Sequence, residues 1–571
     1  MTTDNPETGT AYIDSLSETA FNHCFKLSKF IGPTKKGSLR VTRDHLGLIR
    51  ETTFYGYALG ADTTSFAIPE NAGVSTIAEG VFDLTDETGN PVNIKLKNLG
   101  LPSTVKQIRT YAFRNAKNLI VWFKGGTPPT RVESGAFNDA TGFGVSVPAV
   151  MDGNAIDKSR TQTRVAEFRS ALGFSEVSYY DPAQWTVVFA DESIVFQDSN
   201  LKAKLVENGV DTNGDGEITY KEAKAVTSLA SMLGTSLSNA SFTAFDEFQY
   251  FTGIKTLPAG SFNNWTNLTT ITLPGSIETI GIDFKDKAGT SPTPDKTVFR
   301  NCPQLNSIKG KFSSEDEKAL IYKRKGETTS KLVKVCETIP AFYIPEGVDT
   351  IARYCFYKSK ARDVQFPKSL KVIGDSAFEY SAIESVKFPL GDGSTKVNPD
   401  VDTCRVTTVY ERTFAHCYNL KGFEGARVNG KLKVCADNRV LYGNSTVYAY
   451  ALGSTERKLI IPDEKGIKQL ADCVFDMSDP DGNPLPADQS RLEVIALPTG
   501  INHIGARTFY NQAKLEKLYF HGSTVPVQCG SQALANVHSD MWVFIPAGAS
   551  VDNFAKKLNY NQVATWETWN P

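Results

Sequence analysis

Several common markers of function are missing from this sequence of 571 residues. Neither charge sign is in excess, because 61 Lys and Arg residues stand against 63 Asp and Glu residues. This balance argues against a surface that gathers nucleic acid or anionic lipid. No run of 18 apolar residues is present, so the sequence predicts no transmembrane helix. The first thirty residues also lack the basic and apolar regions of a signal peptide.

Motifs of metal clusters and of catalysis are scarce as well. The nine cysteines include no CxxC pair, and their odd number argues against a fully paired disulfide framework. No HExxH, GxSxG, Walker loop or GxGxxG is present. His23 and His416 occupy matching places in an internal duplication, which favours a repeat-position role over catalysis. A glycosidase carboxylate pair stays open, since sequence alone fixes no two acids together, but we expect no enzyme.

Two short units recur along the chain. The first is an apolar residue followed five positions later by Phe, and the second is apolar-x-apolar-Pro, as in "VQFP" (364–367). The first unit occurs at Leu16/Phe21, Ile77/Phe82, Ile108/Phe113, Val132/Phe137, Leu257/Phe262, Ile351/Phe356, Ile373/Phe378, Val409/Phe414, Leu470/Phe475 and Ile504/Phe509. The second ends at Pro69, Pro102, Pro148, Pro274, Pro345, Pro367, Pro389, Pro462, Pro498 and Pro546. These periods predict a repeat architecture.

The residue alternation explains how such a repeat would fold. In apolar-x-apolar, both apolar side chains point to one face of a short strand, and the proline then ends ladder pairing. One coil of about 22 residues cannot bury its own apolar face, whereas stacked coils can. The spacing of "LTTITLP" (268–274) is LxxIxL, which is that of a leucine-rich-repeat strand. The predicted fold is therefore an α/β or mainly β solenoid of tandem leucine-rich repeats with short helical caps. An ordinary all-β protein with coincidental motifs is the less favoured alternative, given ten occurrences of each unit.

A larger duplication divides the chain. Residues 16–82 fall on residues 409–475 without a gap, and the match continues with small gaps to amphipathic tails around Phe168 and Phe554. The sequence predicts a first solenoid at 1–181, a hairpin and calcium-binding cap at 182–240, and a second solenoid at 241–571. Because the first array has few residues ahead of the matched region, we expect that it opens mid-stack and that upstream sequence is missing.

The stretch "DTNGDGEITYKE" (211–222) has the spacing of a calcium-binding loop between two helices. Calcium prefers six to eight oxygen ligands, and the loop offers oxygens at each required position. The predicted ligands are Asp211, Asn213, Asp215, the Glu217 carbonyl, Thr219 and Glu222. The alternative is a solvated turn of similar composition. A single loop and five methionines favour structural calcium over a sensor.

The repeats also carry a resemblance to a known family. "LTTITLPGSIETIG" (268–281), "FYIPEGVDTIARYCF" (342–356) and "SLKVIGDSAFEYSAIESVKFP" (369–389) resemble the BspA-like class of leucine-rich repeats found on the surfaces of Bacteroidetes. The resemblance implies an exported protein of the bacterial outer surface or the extracellular space. It also implies adhesion to host or bacterial proteins.

Outward side chains of the strands are the candidate binding residues, namely Tyr343, Asp363, Gln365 and Lys387. Insertions at 286–296 and 476–490 offer a second place for recognition, since loops often carry it. The favoured function is adhesion to a host or bacterial surface macromolecule, without nucleic acid as a partner. The alternative is a glycan-capturing accessory protein of a polysaccharide-utilisation system. Aromatic residues clustered on one exposed face would favour glycan, and a broad mixed face would favour protein.

Overall fold

The computed structural model describes residues 15–34, 38–140, 142–153, 155–233, 241–281, 297–391, 398–463 and 466–566. Its contacts divide the chain into two compact units. Unit 1 comprises Met1–Val195 and Val210–Ala225, and unit 2 comprises Phe196–Gly209 and Val226–Pro571. The insertion predicted at 286–296 and the N-terminal residues 1–14 lie outside the described residues.

Unit 1 is built on two main sheets. The first has six strands, in the spatial order Leu39–Val41, Gly47–Arg50, Thr53–Tyr57, Thr76–Ile77, Gln107–Ile108 and Arg131–Val132. The second has five parallel strands, in the order Val177–Tyr180, Gly144–Pro148, Ile120–Phe123, Asn98–Leu101 and Ser65–Ala67. A short antiparallel pair joins Met151–Asp152 to Ala155–Ile156.

Unit 2 repeats the same arrangement over more coils. One five-stranded sheet has the spatial order Ala319–Tyr322, Ser330–Val335, Val348–Ile351, Val372–Ile373 and Thr408–Val409. A six-stranded sheet has the order Leu432–Val434, Val440–Gly443, Thr446–Tyr450, Gln469–Leu470, His503–Ile504 and Gln528–Cys529. Another five-stranded sheet has the order Lys458–Ile460, Val494–Leu497, Lys517–Phe520, Trp542–Pro546 and Val563–Trp566. Its smaller sheets are Ala244–Phe245, Thr270–Leu273 and Ser307–Gly310; Thr256–Leu257 and Thr279–Ile280; Ala341–Tyr343 and Asp363–Gln365; and Ser385–Lys387 and Gly422–Glu424.

The helices are few and short. The α-helices in the described residues are Lys158–Leu172, Trp185–Val188, Ser199–Glu207, Tyr220–Ala225, Leu229–Leu233 and Val551–Leu558. The 3₁₀ turns are Glu70–Ala72, Pro182–Gln184 and Asp246–Tyr250. Asp157 and Ser550 cap the helices that follow them, and each of those helices buries a Phe and a Leu.

All ten apolar-x-apolar-Pro motifs contain a strand, as predicted. The alternation works as expected: in Asp363–Gln365 the central Val364 is buried while both flanking residues are exposed. These strands pair in parallel with strands of neighbouring coils, so the backbone of one coil hydrogen-bonds to the next. The result is the tandem leucine-rich-repeat fold with many parallel strands.

The recurring phenylalanines form ladders through the core. Phe356, Phe378 and Phe414 stack in sequence, with ring centroids 4.6 Å and 5.2 Å apart. Phe82 and Phe113 stack in unit 1 at 5.6 Å, and Phe113 stacks on Phe137 at 5.4 Å. Eight of the ten predicted phenylalanines are buried, while Phe21 and Phe137 are partly buried. Neighbouring coils therefore cover these rings, as expected if one coil cannot bury its own apolar face.

Left-handed backbone turns recur at two places of the repeat in many of the coils. One lies three residues after the apolar residue of the apolar–Phe unit, at Gly80, Tyr111, Tyr354, Ser376, Cys473 and Arg507. The other lies two residues after the Phe, at His23, Asn115, Lys358, Tyr380, His416 and Asn511. Because the repeat sets these turns, side chains at the same turn position of successive coils lie in similar surroundings.

The duplication is visible in the sheet pairing. The antiparallel strands Leu39–Val41, Gly47–Arg50 and Thr53–Tyr57 match Leu432–Val434, Val440–Gly443 and Thr446–Tyr450 in order and register. Each set then continues into parallel two-residue strands. The contact-based units nevertheless divide 182–240 between them, and the predicted domain limits at 181 and 240 remain a prediction.

Candidate functional site

The four predicted binding residues lie on neighbouring strands of unit 2. Tyr343 is directly opposite Gln365 in the pairing of Ala341–Tyr343 with Asp363–Gln365. Lys387 lies on the next outward strand, opposite Glu424. All four predicted residues are exposed, and Tyr343, the one aromatic residue among them, is 61% exposed. The structure therefore brings them to one strand-lined face.

This face is mixed in chemistry. Lys387 and Glu424 form an ion pair of 3.2 Å with both side chains largely in solvent. Asp363 adds a second acid, Gln365 an amide and Tyr343 an exposed ring. Exposed ion pairs contribute little stability, so these groups remain free to exchange solvent for a partner. The arrangement can form hydrogen bonds and one aromatic anchor contact, the pattern found at protein interfaces.

A second outward face, on the sheet that includes Trp542–Pro546, is more aromatic. Trp542 is 43% exposed, and Lys517 is its partner on the neighbouring strand. Tyr519 and Phe544 stack on each other at 4.9 Å, so one face of each ring is already occupied. Sequence alternation predicts Ala496 as outward and open, which is wrong. Ala496 is fully buried because its short side chain lies between Ile460 and Tyr519 in register.

The predicted calcium loop folds around its own carboxylates. Asp211 Oδ1 accepts hydrogen bonds from the Gly214 and Asp215 amides, and its Oδ2 accepts one from Gly216. Asn213 Oδ1 accepts from the Asp215 amide, and Asp215 Oδ1 accepts from the Glu217 amide. These bonds aim the polar side chains toward the inside of the loop. Gly216 adopts φ +78°, the left-handed turn for which glycine is suited.

Glu222 plays a helix-capping role in the same loop. Its Oε2 accepts from the Thr219 amide at 2.9 Å, while the Glu222 amide donates to Thr219 Oγ1 at 3.2 Å. This reciprocal pair is a capping box for Tyr220–Ala225. Glu222 Oε1 accepts from the Thr212 amide and hydroxyl. Burial alone would raise the pKa of Glu222, but the hydrogen bonds that its carboxylate accepts from the amides and hydroxyls of Thr219 and Thr212 outweigh it and lower the pKa.

The loop is held in unit 1 by backbone and ionic contacts. The Ile194 amide donates to the Ile218 carbonyl at 2.7 Å, and Ser193 and Thr219 form an antiparallel bridge. Ile218 is fully buried, as its apolar place in the motif predicts. Arg43 pairs with Glu217 at 3.1 Å and also donates to the Asp215 carbonyl. A neighbouring strand segment thus anchors the loop, and the Arg43 cation lies against it.

The donor set of the loop fits calcium, since it consists of carboxylate, amide, hydroxyl and carbonyl oxygens on a tight glycine-containing turn. Its three acids, Asp211, Asp215 and Glu222, do not form a compact ligand group. Within the described residues, one set of three His, Cys, Asp or Glu side chains has ligand atoms all within 4.8 Å, and it lies elsewhere. Calcium binding at this loop therefore remains a proposal.

That compact set consists of His416, Cys473 and Asp476, all buried in unit 2. The sequence predicts a repeat-position role for His416 and predicts no role for Cys473 or Asp476. Cys473 and Asp476 are neighbours in sequence, whereas His416 lies 57 and 60 positions before them, and the stacking of coils brings it to that pair. The signal that could have found them is the duplication, which pairs His23 with His416 and Asp83 with Asp476 at one offset.

Comparison with known families decides what the repeats are. The model described as "BspA type Leucine rich repeat region" matches six copies in this chain, over residues 8–120, 92–142, 225–285, 329–427 and 487–539. These matches cover more than half of the chain. The chain belongs to the BspA-type leucine-rich-repeat family. Tyr343, Asp363, Gln365 and Lys387 lie within BspA-type repeats, whereas the loop 211–222 lies between two matched segments.

Several solved structures of bacterial proteins are also similar to this BspA-type chain. A leucine rich cell surface protein from Faecalibacterium prausnitzii A2-165 is 14% identical, with 94% of this chain and 95% of that chain covered and a TM-score of 0.28. The pneumococcal vaccine antigen PcpA is 13% identical, with 94% and 100% covered and a TM-score of 0.28. A leucine-rich repeat protein from Eubacterium ventriosum is 17% identical, with 52% and 64% covered and a TM-score of 0.28.

No curated protein matches the chain significantly. Across the described part of the chain, the search for a helix long and apolar enough to cross a membrane finds none.

Proposed function

We propose that this BspA-type protein is a non-catalytic binding protein, secreted by a bacterium or held at its surface, that adheres to host or bacterial macromolecules. The observation that carries the proposal is the exposed row on parallel strands of unit 2, with Tyr343, Gln365 and Lys387 side by side. The ring of Tyr343 offers an anchor contact of the kind that dominates many interfaces. The charged neighbours provide orientation and selectivity around it.

A protein partner suits this row better than a glycan. The exposed set mixes one aromatic ring with an acid, an amide and a lysine, and this mixture resembles the polar rim and aromatic centre of protein interfaces. A glycan platform would instead present several open ring faces for stacking. On the sheet of unit 2 that includes Tyr519 and Phe544, those two rings stack on each other.

The adhesion proposal is tested with the purified full chain on immobilised mucosal extracellular proteins and bacterial surface proteins. The double variant Tyr343→Ala/Lys387→Ala is expected to bind at least about tenfold more weakly, a loss of about 1.4 kcal/mol. A matched control is Val401→Ala/Lys556→Ala, which removes an exposed apolar residue and an exposed lysine of helix Val551–Leu558, away from these strands in sequence. Equal binding by both variants and the wild type would contradict the proposed face.

Glycan capture is the second candidate, and Trp542 is the observation that favours it. Its side chain is 43% exposed beside Lys517, and an open indole face can stack on a sugar ring. A glycan array probed with wild type and Trp542→Ala separates the two candidates. Glycan binding that is lost in Trp542→Ala but kept in the Tyr343/Lys387 variant would replace adhesion to protein as the favoured function.

Structural calcium at the loop 211–222 is the remaining part of the proposal. Asp211, Asn213, Asp215, the Glu217 carbonyl, Thr219 and Glu222 would supply its oxygens, and the ion would neutralise the acids of the loop. Extracellular calcium modules bind with dissociation constants of roughly 10⁻⁴–10⁻³ M. We therefore expect calcium to raise the melting temperature of the full chain, since the ion binds the folded state.

Asp215→Ala is expected to lower the melting temperature in calcium and to abolish its calcium dependence. The control is Asp479→Ala, because Asp479 also receives amide hydrogen bonds in an Asp-, Asn- and Gly-containing turn outside the loop. That variant should keep the full response to calcium. The calcium proposal fails if wild type and Asp215→Ala respond identically to added calcium in differential scanning calorimetry.

A further inference from the structure

A buried cluster in unit 2 has the composition and spacing of a transition-metal site. Ligand atoms of His416, Cys473 and Asp476 all lie within 4.8 Å of one another. His416 Nε2 and Asp476 Oδ2 are 3.3 Å apart. Zinc bonds of about 2.0–2.3 Å place neighbouring ligand atoms of a tetrahedral site about 3.3–3.8 Å apart. The His–Asp spacing therefore suits two ligands of one ion.

Three polar atoms of this cluster are buried and have ion-pair contacts but no hydrogen bond of acceptable geometry. The side chain of Asp476 is fully buried and that of His416 is 4% exposed. Neither ring nitrogen of His416 makes a hydrogen bond of acceptable geometry, and the same is true of Asp476 Oδ2. Buried polar groups are rarely left in this state, and an ion that the structure does not contain is one established reason.

The surroundings also suit a metal-bound histidine. His416 Nδ1 lies 3.3 Å from Glu379 Oε1, on the other side of the ring from Asp476. Histidines that bind metals commonly turn their second nitrogen toward a carboxylate, which orients the ring. Asp476 Oδ1 accepts from the Ser478 hydroxyl, so the acid is oriented too. The Tyr380 ring stacks on the imidazole at 4.4 Å and fixes its plane.

We propose that His416 Nε2, Cys473 Sγ and Asp476 Oδ2 bind one zinc ion inside unit 2, as three of the four ligands that tetrahedral zinc takes. Nitrogen, thiolate and carboxylate ligands are the set that zinc accepts, and hard-oxygen cations such as calcium do not use thiolate. The site is closed to solvent, so zinc would enter during folding. Binding would release the thiol proton of Cys473 to solvent. It would also stabilise the folded state relative to the unfolded state.

The internal duplication provides a built-in comparison. His23, Asp83 and Gly80 in unit 1 correspond to His416, Asp476 and Cys473 in unit 2. His23 Nε2 lies 3.1 Å from Asp83 Oδ2, so the His–Asp contact is present in both copies. Glycine in place of cysteine removes the sulfur ligand, and the His23 side chain is 43% exposed. The metal site is therefore specific to the second copy.

Two arginines compete for the same carboxylates. Arg507 Nε lies 2.9 Å from Asp476 Oδ2, and Arg412 lies 3.8 Å from Glu379. Without metal, a protonated His416 between the two acids would be the alternative way to balance their charge. The two states differ in one measurable respect, because only the zinc-bound state needs the sulfur of Cys473.

The experiment measures zinc in the full chain expressed in zinc-supplemented medium and desalted in EDTA. Plasma mass spectrometry is expected to find about one zinc per chain in the wild type. Cys473→Ser, which nearly preserves volume, should lose the metal, and circular dichroism should show that it is still folded. His416→Gln should also lose it. Controls His23→Gln and Asp215→Ala should retain it, because they alter the first copy and the calcium loop.

Refolding with cobalt(II) supplies a second readout. The wild type should show thiolate-to-cobalt charge-transfer absorption, and Cys473→Ser should not. The proposal is overturned if the wild type neither carries zinc nor takes up cobalt on refolding. It is equally overturned if folded Cys473→Ser binds as much metal as the wild type.

Discussion

At the residue scale, the most consequential buried group is an ion pair that the sequence did not reveal. Lys334 and Glu337 lie 2.7 Å apart with side chains 0% and 1% exposed. Glu337 Oε1 also accepts from the Cys302 amide at 3.1 Å. Alternation in Val333–Lys334–Val335 would point Lys334 outward, but the strand is buried on both faces at this point, and nothing local indicates that the lysine meets an acid.

Removing one partner of this pair should be costly. Glu337→Gln leaves the Lys334 ammonium buried without its counter-charge, so we expect a loss of about 3–5 kcal/mol in the free energy of unfolding. The exposed pair Lys387–Glu424 is the control, and Glu424→Gln should cost less than about 1 kcal/mol. Urea denaturation of both variants checks this, and equal small losses would show that the buried charge is hydrated.

At the element scale, short helices depend on their caps. Asp198 precedes Ser199–Glu207, and its Oδ1 accepts from the Asn200 and Leu201 amides. Its Oδ2 accepts from the amide and hydroxyl of Thr243, which joins two segments of unit 2. The second pair of bonds could not be predicted, because Thr243 lies 45 positions away.

The cap should give a stability that depends on pH. Burial would raise the pKa of Asp198, but the hydrogen bonds outweigh it and lower the pKa from its ordinary value of 3.8. The stabilisation is therefore present above the unfolded pKa and is lost as pH falls through the folded pKa. Asp198→Ala should cost about 2 kcal/mol at pH 7.

Urea denaturation of wild type and Asp198→Ala between pH 7 and pH 3 measures this effect. The difference between them should shrink at the acidic end, and Asp198→Asn should lie between the two at pH 7. A difference that is constant across this range would show that the carboxylate charge is not involved.

At the scale of the whole molecule, the repeats were the most predictable part. Each coil carries its own Ile–Phe pair and its own strand, so local alternation and period were enough to place all ten strands. Sites formed across coils were not predictable in the same way. Asp476 and His416 lie 60 positions apart, and the sequence gives no measure of which side chains adjacent coils bring together.

In this fold, adjacent coils stabilise one another through a shared ladder of phenylalanine rings. Phe378 is fully buried between Phe356 and Phe414, and Phe378→Ala removes the ring from the middle of the stack. A loss of about 3–5 kcal/mol is expected, as for other buried phenylalanines.

Hydrogen exchange followed by mass spectrometry tests this claim most directly, with Val401→Ala as the exposed control. Phe378→Ala is expected to speed amide exchange in Val348–Ile351 and Thr408–Val409, on both sides of the altered coil, while the control matches the wild type. Faster exchange confined to Val372–Ile373, with both neighbouring strands unchanged, would contradict it.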